Sequence, residues 1–180
     1  MNAPAFLIGR LAAPGIAGRR EALANLLIAC VADGGSLGYR APLALARART
    51  VFDELADVER NGQALVFTAS VEGEIAGCVA IFAEKRETEP HIAELGKLMV
   101  HSRFRRHGIG GALVAAAERA AFEWGKTRLY LFTSDDGIAP AFYDRADYQR
   151  AGRIPEGGGL PDGTLVDALI FTKKLAGHAA

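Results

Sequence analysis

A basic, glycine-rich turn between a strand-like stretch and a long helix limits most strongly how this chain folds. The turn is HSRFRRHGIGG (101–111), which follows the apolar stretch HIAELGKLMV (91–100) and leads into an amphipathic helix that ends near Trp124-Gly125. The next stretch, RLYLFTS (128–134), is predicted to be a strand. Two strands joined by a long helix pair in parallel, so we predict a crossover unit and an α/β fold.

The remaining patterns predict a mixed sheet. The turns EGE (72–74) and KRETEP (85–90) separate predicted strands, which therefore form antiparallel hairpins. We predict strands at 5–11, 64–71, 75–84, 91–100, 128–134, 148–155 and 164–175, and helices at 19–33, 43–60, after the basic turn, and at 139–147. We expect one α/β domain over 1–180, with a mixed, mostly antiparallel sheet of about six to seven strands flanked by about four helices.

Composition argues against several classes of partner. The chain has 180 residues, 50% of them hydrophobic, and its 21 basic and 21 acidic side chains balance. Nucleic acids and anionic membranes attract basic surfaces, so we expect neither as a partner. No apolar run approaches the ~20 residues of a membrane span, and the N-terminus lacks the pattern of a secretory signal. We therefore expect a cytoplasmic protein.

The spacing of cysteines and histidines predicts neither a disulfide framework nor a metal site. Cys30 and Cys78 lie in apolar stretches without a CxxC partner, which predicts buried thiols in a reducing compartment. The histidines share no ligand spacing with each other or with the cysteines, so we expect no metal. They are His91, His101, His107 and His178.

The glycine-rich turn predicts an anion site. The first N–H groups of a helix lack internal partners, the helix dipole favours negative charge there, and glycines let a phosphate approach the backbone. Two common phosphate motifs fail. A dinucleotide fingerprint starting at Gly108 would need Gly or Ala where Leu113 stands, and a P-loop ending at Gly125-Lys126-Thr127 would need Gly where Ala120 stands.

The pattern that does match is R/Q-x-x-G-x-G/A, formed by Arg105, Gly108 and Gly110. It follows Leu98-x-Val100 at a strand end, and an alanine-rich helix, AFYDRADY (141–148), comes about thirty residues later. This combination resembles motif A of the GNAT superfamily of acetyl-CoA-dependent N-acetyltransferases. The resemblance implies the GNAT fold and acetyl-CoA as co-substrate.

The resemblance also implies where the cofactor binds. The diphosphate of CoA would lie on the amides of 106–111, the pantetheine arm would pair with the strand near Val100, and an amide there would polarise the thioester carbonyl. Asp136 could bind the amine or CoA, or cap the following helix, and we favour the cap. The implied cofactor contacts are Leu98, Met99, Val100, Arg105, Arg106, His107, Gly108, Ile109, Gly110, Gly111, Asp136 and Phe142.

Two side chains are candidates for the proton transfers that amine acetylation needs. Ala139-x-x-Phe142-Tyr143 matches the family pattern A-x-x-L-Y, which implies that Tyr143 is the general acid. Glu94, in an apolar strand, is the candidate base, because burial would raise its pKa. Glu94 is about 20 Å from Val100 along a regular strand, so we expect it to act through water unless a bulge, for which Gly96 is a candidate, shortens the path.

The N-terminal half resembles the tabtoxin-resistance-like branch of the family. A helix followed by a G-x-S-x-G-aromatic-x-x-P-L loop, here 34–43, carries this likeness. The resemblance implies that Ser36, Leu37 and Tyr39 face the acceptor and that the loop 156–163 closes the other side. Phe132-Thr133 stands where close relatives often have Asp-Thr, so the acceptor is not assigned as tabtoxin.

The predicted function is acetyl transfer from acetyl-CoA to a primary amine of a small molecule in a ternary complex. An amino acid, a peptide-like toxin or antibiotic and a polyamine all remain open as acceptors. The alternatives are a protein or peptide N-acetyltransferase and a non-catalytic acyl-CoA-binding regulatory domain. A homodimer is possible, although no sequence feature identifies its interface.

Overall fold

The computed structural model describes residues 5–135 and 137–176, which form seven strands and five α-helices. The strands are β1 (Leu7–Arg10), β2 (Ala64–Val71), β3 (Glu74–Ala83), β4 (Ile92–Val100), β5 (Arg128–Ser134), β6 (Gln149–Gly159) and β7 (Leu165–Lys174). The helices are α1 (Ala13–Gly18), α2 (Arg20–Ala32), α3 (Leu45–Arg60), α4 (Ile109–Glu123) and α5 (Ala139–Arg145), with a short 3₁₀ turn at Ser102–Phe104.

The seven strands form one sheet in the order β1-β2-β3-β4-β5-β7-β6. Only β4 and β5 pair in parallel, across the crossover through α4, and the other neighbours are antiparallel. The predicted mixed, mostly antiparallel sheet is therefore confirmed.

Two hydrophobic cores lie on opposite faces of this sheet. Helices α1, α2 and α3 cover β2, β3 and β4 on one face, whereas α4 packs on the other. Side chains along β2 point alternately to the two faces and so contribute to both cores. Val66 is buried on the α2–α3 side, and Phe67 is buried on the α4 side. The buried Leu23, Leu27 and Cys30 confirm the predicted apolar stripe of α2.

Two elements differ from the prediction. The six-residue helix α1 precedes α2, and it was not predicted because Gly and Pro occupy half of APGIAG and leave no apolar stripe. Pro14 in its first turn nevertheless suits a helix start, because its missing N–H has no partner there, and Ile16 is buried. Strand β6 runs to Gly159 instead of ending near 155, because after a bulge Gly158 and Gly159 pair with β7. The predicted loop 156–163 is thus a turn over 160–163.

None of the helices within 5–135 and 137–176 has the length and apolarity needed to cross a membrane.

Candidate active site

An opening in the sheet lies between β4 and β5. The two strands pair only where Ile92–Glu94 meets Arg128–Tyr130, and β4 continues to Val100 without a β5 partner. Strand β4 has a bulge near this divergence. A step of two residues on β3, from Cys78 to Ala80, pairs with a step of three residues on β4, from Met99 to Gly96. Lys97 holds the left-handed φ of 54° there. The bulge is therefore centred just after Gly96, the residue proposed for it.

The end of β4, the first turn of α4 and helix α5 meet at one side of this opening. A Cβ placed on Gly110 would lie 3.5 Å from the Phe142 ring and 3.8 Å from a Val100 methyl group. Glycine at 110 thus permits a close approach of the three elements. Val100, Gly110 and Phe142, which were predicted from three separate parts of the sequence, therefore lie next to one another.

A row of free backbone donors marks the start of α4. Gly108 is the N-cap with φ 82°, Arg106 has φ 66°, and the first backbone bond of the helix runs from the Ala112 N–H to the Gly108 carbonyl. Within the described part of the chain, the six N–H groups of 106–111 donate no hydrogen bond. Such a run of free donors at a helix N-terminus suits an anion. We call these six N–H groups the amide cradle.

Arg105 lies beside the cradle but is already engaged within the chain. Its Nε donates to the Val100 carbonyl oxygen at 2.9 Å, and its Nη2 donates to Asp33 at 3.1 Å. The Cys30 thiol also approaches the Val100 carbonyl, at 3.7 Å. Arg105 therefore fixes the end of β4 to α2. Arg106, by contrast, is exposed and forms no ion pair with a described residue.

Two carboxyl groups near the closed end of the opening have opposite pKa shifts. Burial raises the pKa of Glu94, and the nearby Glu84 adds to this, while Lys97 opposes it. Hydrogen bonds from Arg86 lower the pKa of Glu84 to about 2. The Tyr130 hydroxyl lies 3.4 Å from Glu84, and Tyr130 is in register with Glu94. Of the two carboxyl groups, Glu94 is therefore the one suited to accept a proton near neutral pH.

Tyr143 approaches from the other face of the sheet. Its ring is buried in the α4-side core, 5.2 Å from the Phe142 ring, 5.6 Å from that of Tyr148 and 5.7 Å from that of Phe171. Burial raises the pKa of its hydroxyl, which therefore stays protonated at neutral pH. Among the described residues, this hydroxyl has no hydrogen-bond partner. It is free to donate a proton to a ligand.

The loop 34–42 crosses from β4 to the turn between β6 and β7. Lys97 Nζ donates to the Tyr39 hydroxyl at 3.2 Å, the Ser36 hydroxyl to the Gly159 carbonyl at 3.1 Å, and the Ala41 N–H to the Pro161 carbonyl at 2.9 Å. We call this loop, with the 159–163 turn, the bridge. It joins the two segments that the sequence assigned to opposite sides of the acceptor.

Three residues of the site were not predicted from the sequence, namely Lys97, Glu84 and Tyr130. Tyr130 could have been found, because it shares a face of β5 with Phe132 through simple alternation. Asp136 and His178 lie outside the described residues. Among those that are described, no three His, Cys, Asp or Glu side chains gather as a metal site would require.

Comparison with known proteins identifies the family. The model of the acetyltransferase (GNAT) family matches residues 38–148. The chain therefore belongs to the GNAT family, and it is an acyltransferase.

Solved structures share the fold along nearly the whole chain. A ribosomal-protein-alanine N-acetyltransferase from Brucella melitensis is 22% identical, with a TM-score of 0.78 over 94% of this chain and 99% of its own. The putative acetyltransferase yncA from Salmonella typhimurium, solved with acetyl-CoA, is 14% identical, with a TM-score of 0.78 over 99% and 98%. An aminoglycoside 6'-acetyltransferase type Ii is 18% identical, with a TM-score of 0.71 over 96% and 99%. None of these three singles out the tabtoxin-resistance-like branch, which stays a prediction.

Proposed function

We propose that this protein transfers an acetyl group from acetyl-CoA to a primary amine of a small molecule, directly within a ternary complex. The observation that carries the choice of acceptor is the bridge. Its contacts at Tyr39, Ser36 and Ala41 tie β4 to the β6–β7 turn across the splayed end of the opening. A small molecule fits beneath such a closure, whereas an extended peptide needs an open groove.

The amide cradle and the unpaired edge of β4 support acetyl-CoA as the co-substrate. The six free N–H groups of 106–111 would receive the diphosphate, with Arg106 adding charge. The pantetheine arm would run along Leu98, Met99 and Val100, where β4 has no β5 partner. When bound there, acetyl-CoA would supply the acetyl group, and CoA would leave as the free thiol. Arg105 would act indirectly, by fixing the Val100 carbonyl.

The acid and the base would act from opposite faces of the opening. Glu94 accepts a proton from the amine through water, because six residues of strand separate Glu94 from Val100 and the one-residue bulge after Gly96 shortens this path only slightly. The Val100 N–H lies on the part of β4 that has no β5 partner, and it would favour the negative charge that develops on the thioester carbonyl oxygen. As the C–N bond forms and the C–S bond breaks, the Tyr143 hydroxyl protonates the departing sulfur. Asp136 remains a candidate contact for CoA or the amine.

Replacing Glu94 by Gln should lower kcat/KM about tenfold to a hundredfold near pH 7, because the proton acceptor is lost. In the unsubstituted protein, activity requires ionised Glu94. Burial raises its pKa, so activity should fall with decreasing pH at a pH above the ordinary carboxyl value of 4.5. The measurement is the pH profile of kcat/KM for both proteins, and Glu94→Gln should lack this acid limb.

Glu84→Gln provides the matched control. Since the Glu84 charge raises the pKa of Glu94, its removal should move the acid limb to lower pH without abolishing it. An acid limb that persists unchanged in Glu94→Gln would show that another group, or the amine alone, determines it.

One experiment distinguishes a small-molecule amine acceptor from a peptide acceptor. The fold suits either acceptor, because the structural neighbours include enzymes named for a ribosomal protein and for an aminoglycoside. We expect CoA release with a panel of small primary amines, confirmed by the mass of the acetylated product, and none with unstructured peptides that carry free N-termini or lysines. Release with peptides alone would contradict the proposal. Binding of acetyl-CoA without turnover of any amine would favour a regulatory acyl-CoA-binding domain.

A further inference from the structure

One face of the C-terminal half of the sheet carries exposed apolar side chains. Leu131, Leu169 and Phe171 point to the α4-side core, so Phe132 and Ile170, in register with each other, point to the opposite face. Helices α2 and α3 pack on β2, β3 and β4 instead of on this half, and α1 packs on α2 and α3. Phe132 is 52% exposed.

The neighbouring strand extends this surface. Gly152 pairs with Ile170, and a Cβ placed on it would touch only the Ile170 side chain, at 3.5 Å. Ile154, 44% exposed, pairs with Ala168 on the same face. Tyr130 completes the surface, with its ring edge-on to Phe132 at 6.0 Å. We call Tyr130, Phe132, Gly152, Ile154 and Ile170 the apolar shelf.

The apolar shelf continues into the acidic end of the opening. Tyr130 is in register with Glu94, and Phe132 lies two residues farther along β5, about 7 Å away. Arg86 already pairs with Glu84, and Lys97 donates to Tyr39, which leaves Glu94 without a bonded cation among the described residues. Two further cations on this face, Arg128 and Lys174, are in register with each other at the start of β5 and the end of β7, and Arg128 hydrogen-bonds to Thr172. One free carboxylate therefore lies beside an exposed apolar surface.

We propose that the acceptor is a primary amine with an apolar body, whose amino group lies in the opening, where water connects it to Glu94, and whose aromatic or branched aliphatic part lies on the apolar shelf. The inference rests on the proposed acetyl transfer and narrows its substrate. Contiguous exposed apolar surface indicates a binding site. A diamine or polyamine would place a second charge over Phe132 and Ile170, and none of the five shelf residues carries a carboxylate to balance the lost hydration.

The test compares 2-phenylethylamine with putrescine as acceptors. We expect kcat/KM for 2-phenylethylamine to exceed that for putrescine at least tenfold. Phe132→Asp should remove most of this preference, because burial of an apolar ring contributes about tenfold to a hundredfold in affinity and the new carboxylate attracts the second amine of putrescine. Phe122→Ser is the matched control, because Phe122 is 42% exposed on α4, away from the shelf. The Phe122→Ser protein should keep the full preference for 2-phenylethylamine over putrescine.

The outcomes separate this inference from the proposed function. If putrescine or another polar amine is acetylated as well as 2-phenylethylamine, or if Phe132→Asp leaves the preference intact, the shelf does not hold the acceptor, while acetyl transfer stands. If the protein sediments as a dimer that Phe132→Asp dissociates, the shelf is a contact between two copies and the inference is overturned. If no small amine is acetylated, the proposed function fails and this inference fails with it.

Discussion

Replacing Gly111 by Glu should weaken acetyl-CoA binding about tenfold to a hundredfold. A Cβ at this position would meet no atom within 4 Å, so the side chain fits without strain. Its carboxylate, however, stands in the first turn of α4 beside the amide cradle. Repulsion between it and a nearby diphosphate amounts to about 1–3 kcal/mol at the effective dielectric of a protein surface, which corresponds to this loss. Calorimetric titration with acetyl-CoA measures the dissociation constant.

Gly111→Gln is the matched control, because it adds nearly the same volume without the charge. We expect it to bind acetyl-CoA at least tenfold more tightly than Gly111→Glu, with the difference shrinking at high salt as screening increases. Both variants should melt at or above the original temperature, since either residue forms helix better than glycine. Equal affinities of the Glu and Gln variants would place the diphosphate elsewhere.

Replacing Tyr143 by Phe should lower kcat about a hundredfold to a thousandfold, because the departing thiolate loses its proton donor. The KM for acetyl-CoA should change little, since the ring and its packing remain. Because the Tyr143 hydroxyl has no partner among the described residues, its removal should leave the free energy of unfolding nearly unchanged. Steady-state CoA release and urea unfolding together measure both effects.

Tyr148→Phe controls for the loss of a buried tyrosine hydroxyl. Unlike the Tyr143 hydroxyl, the Tyr148 hydroxyl is fully buried without a hydrogen-bond partner in the described part of the chain. Removing an unsatisfied hydroxyl should raise the free energy of unfolding by about 1 kcal/mol, and kcat should stay within about twofold. If Tyr143→Phe retains full kcat, the sulfur receives its proton from water or another group.

The fold was largely predictable because its decisive signals are local. The glycines at 108, 110 and 111 lie between a strand and a helix, so the crossover through α4 followed from spacing alone. Helix α1 was missed because six residues rich in Gly and Pro carry no apolar period. The end of β6 was misplaced because its last glycines pair with β7 through register, which composition does not reveal.

The site was predictable only in part, because several of its contacts join distant residues. The cradle glycines, Phe142 and Val100 were all proposed from motifs, and the structure brings them together at Gly110. The bond from Ser36 to Gly159 spans 123 residues, and Arg105 reaches Asp33 across 72. Neither contact leaves a local pattern in the sequence. The opposite pKa shifts of Glu94 and Glu84 likewise depend on burial and on Arg86, which the sheet determines.

The most direct test of the account is an amide NMR titration with acetyl-CoA. We predict that the largest shifts occur at the amides of 106–111 and at Leu98 to Val100, because the diphosphate and the pantetheine arm would bind there. ATP and NAD at the same concentration should leave the strand amides unchanged. Shifts concentrated elsewhere, with both segments unmoved at saturating acetyl-CoA, would contradict the proposed cofactor site and the mechanism built on it.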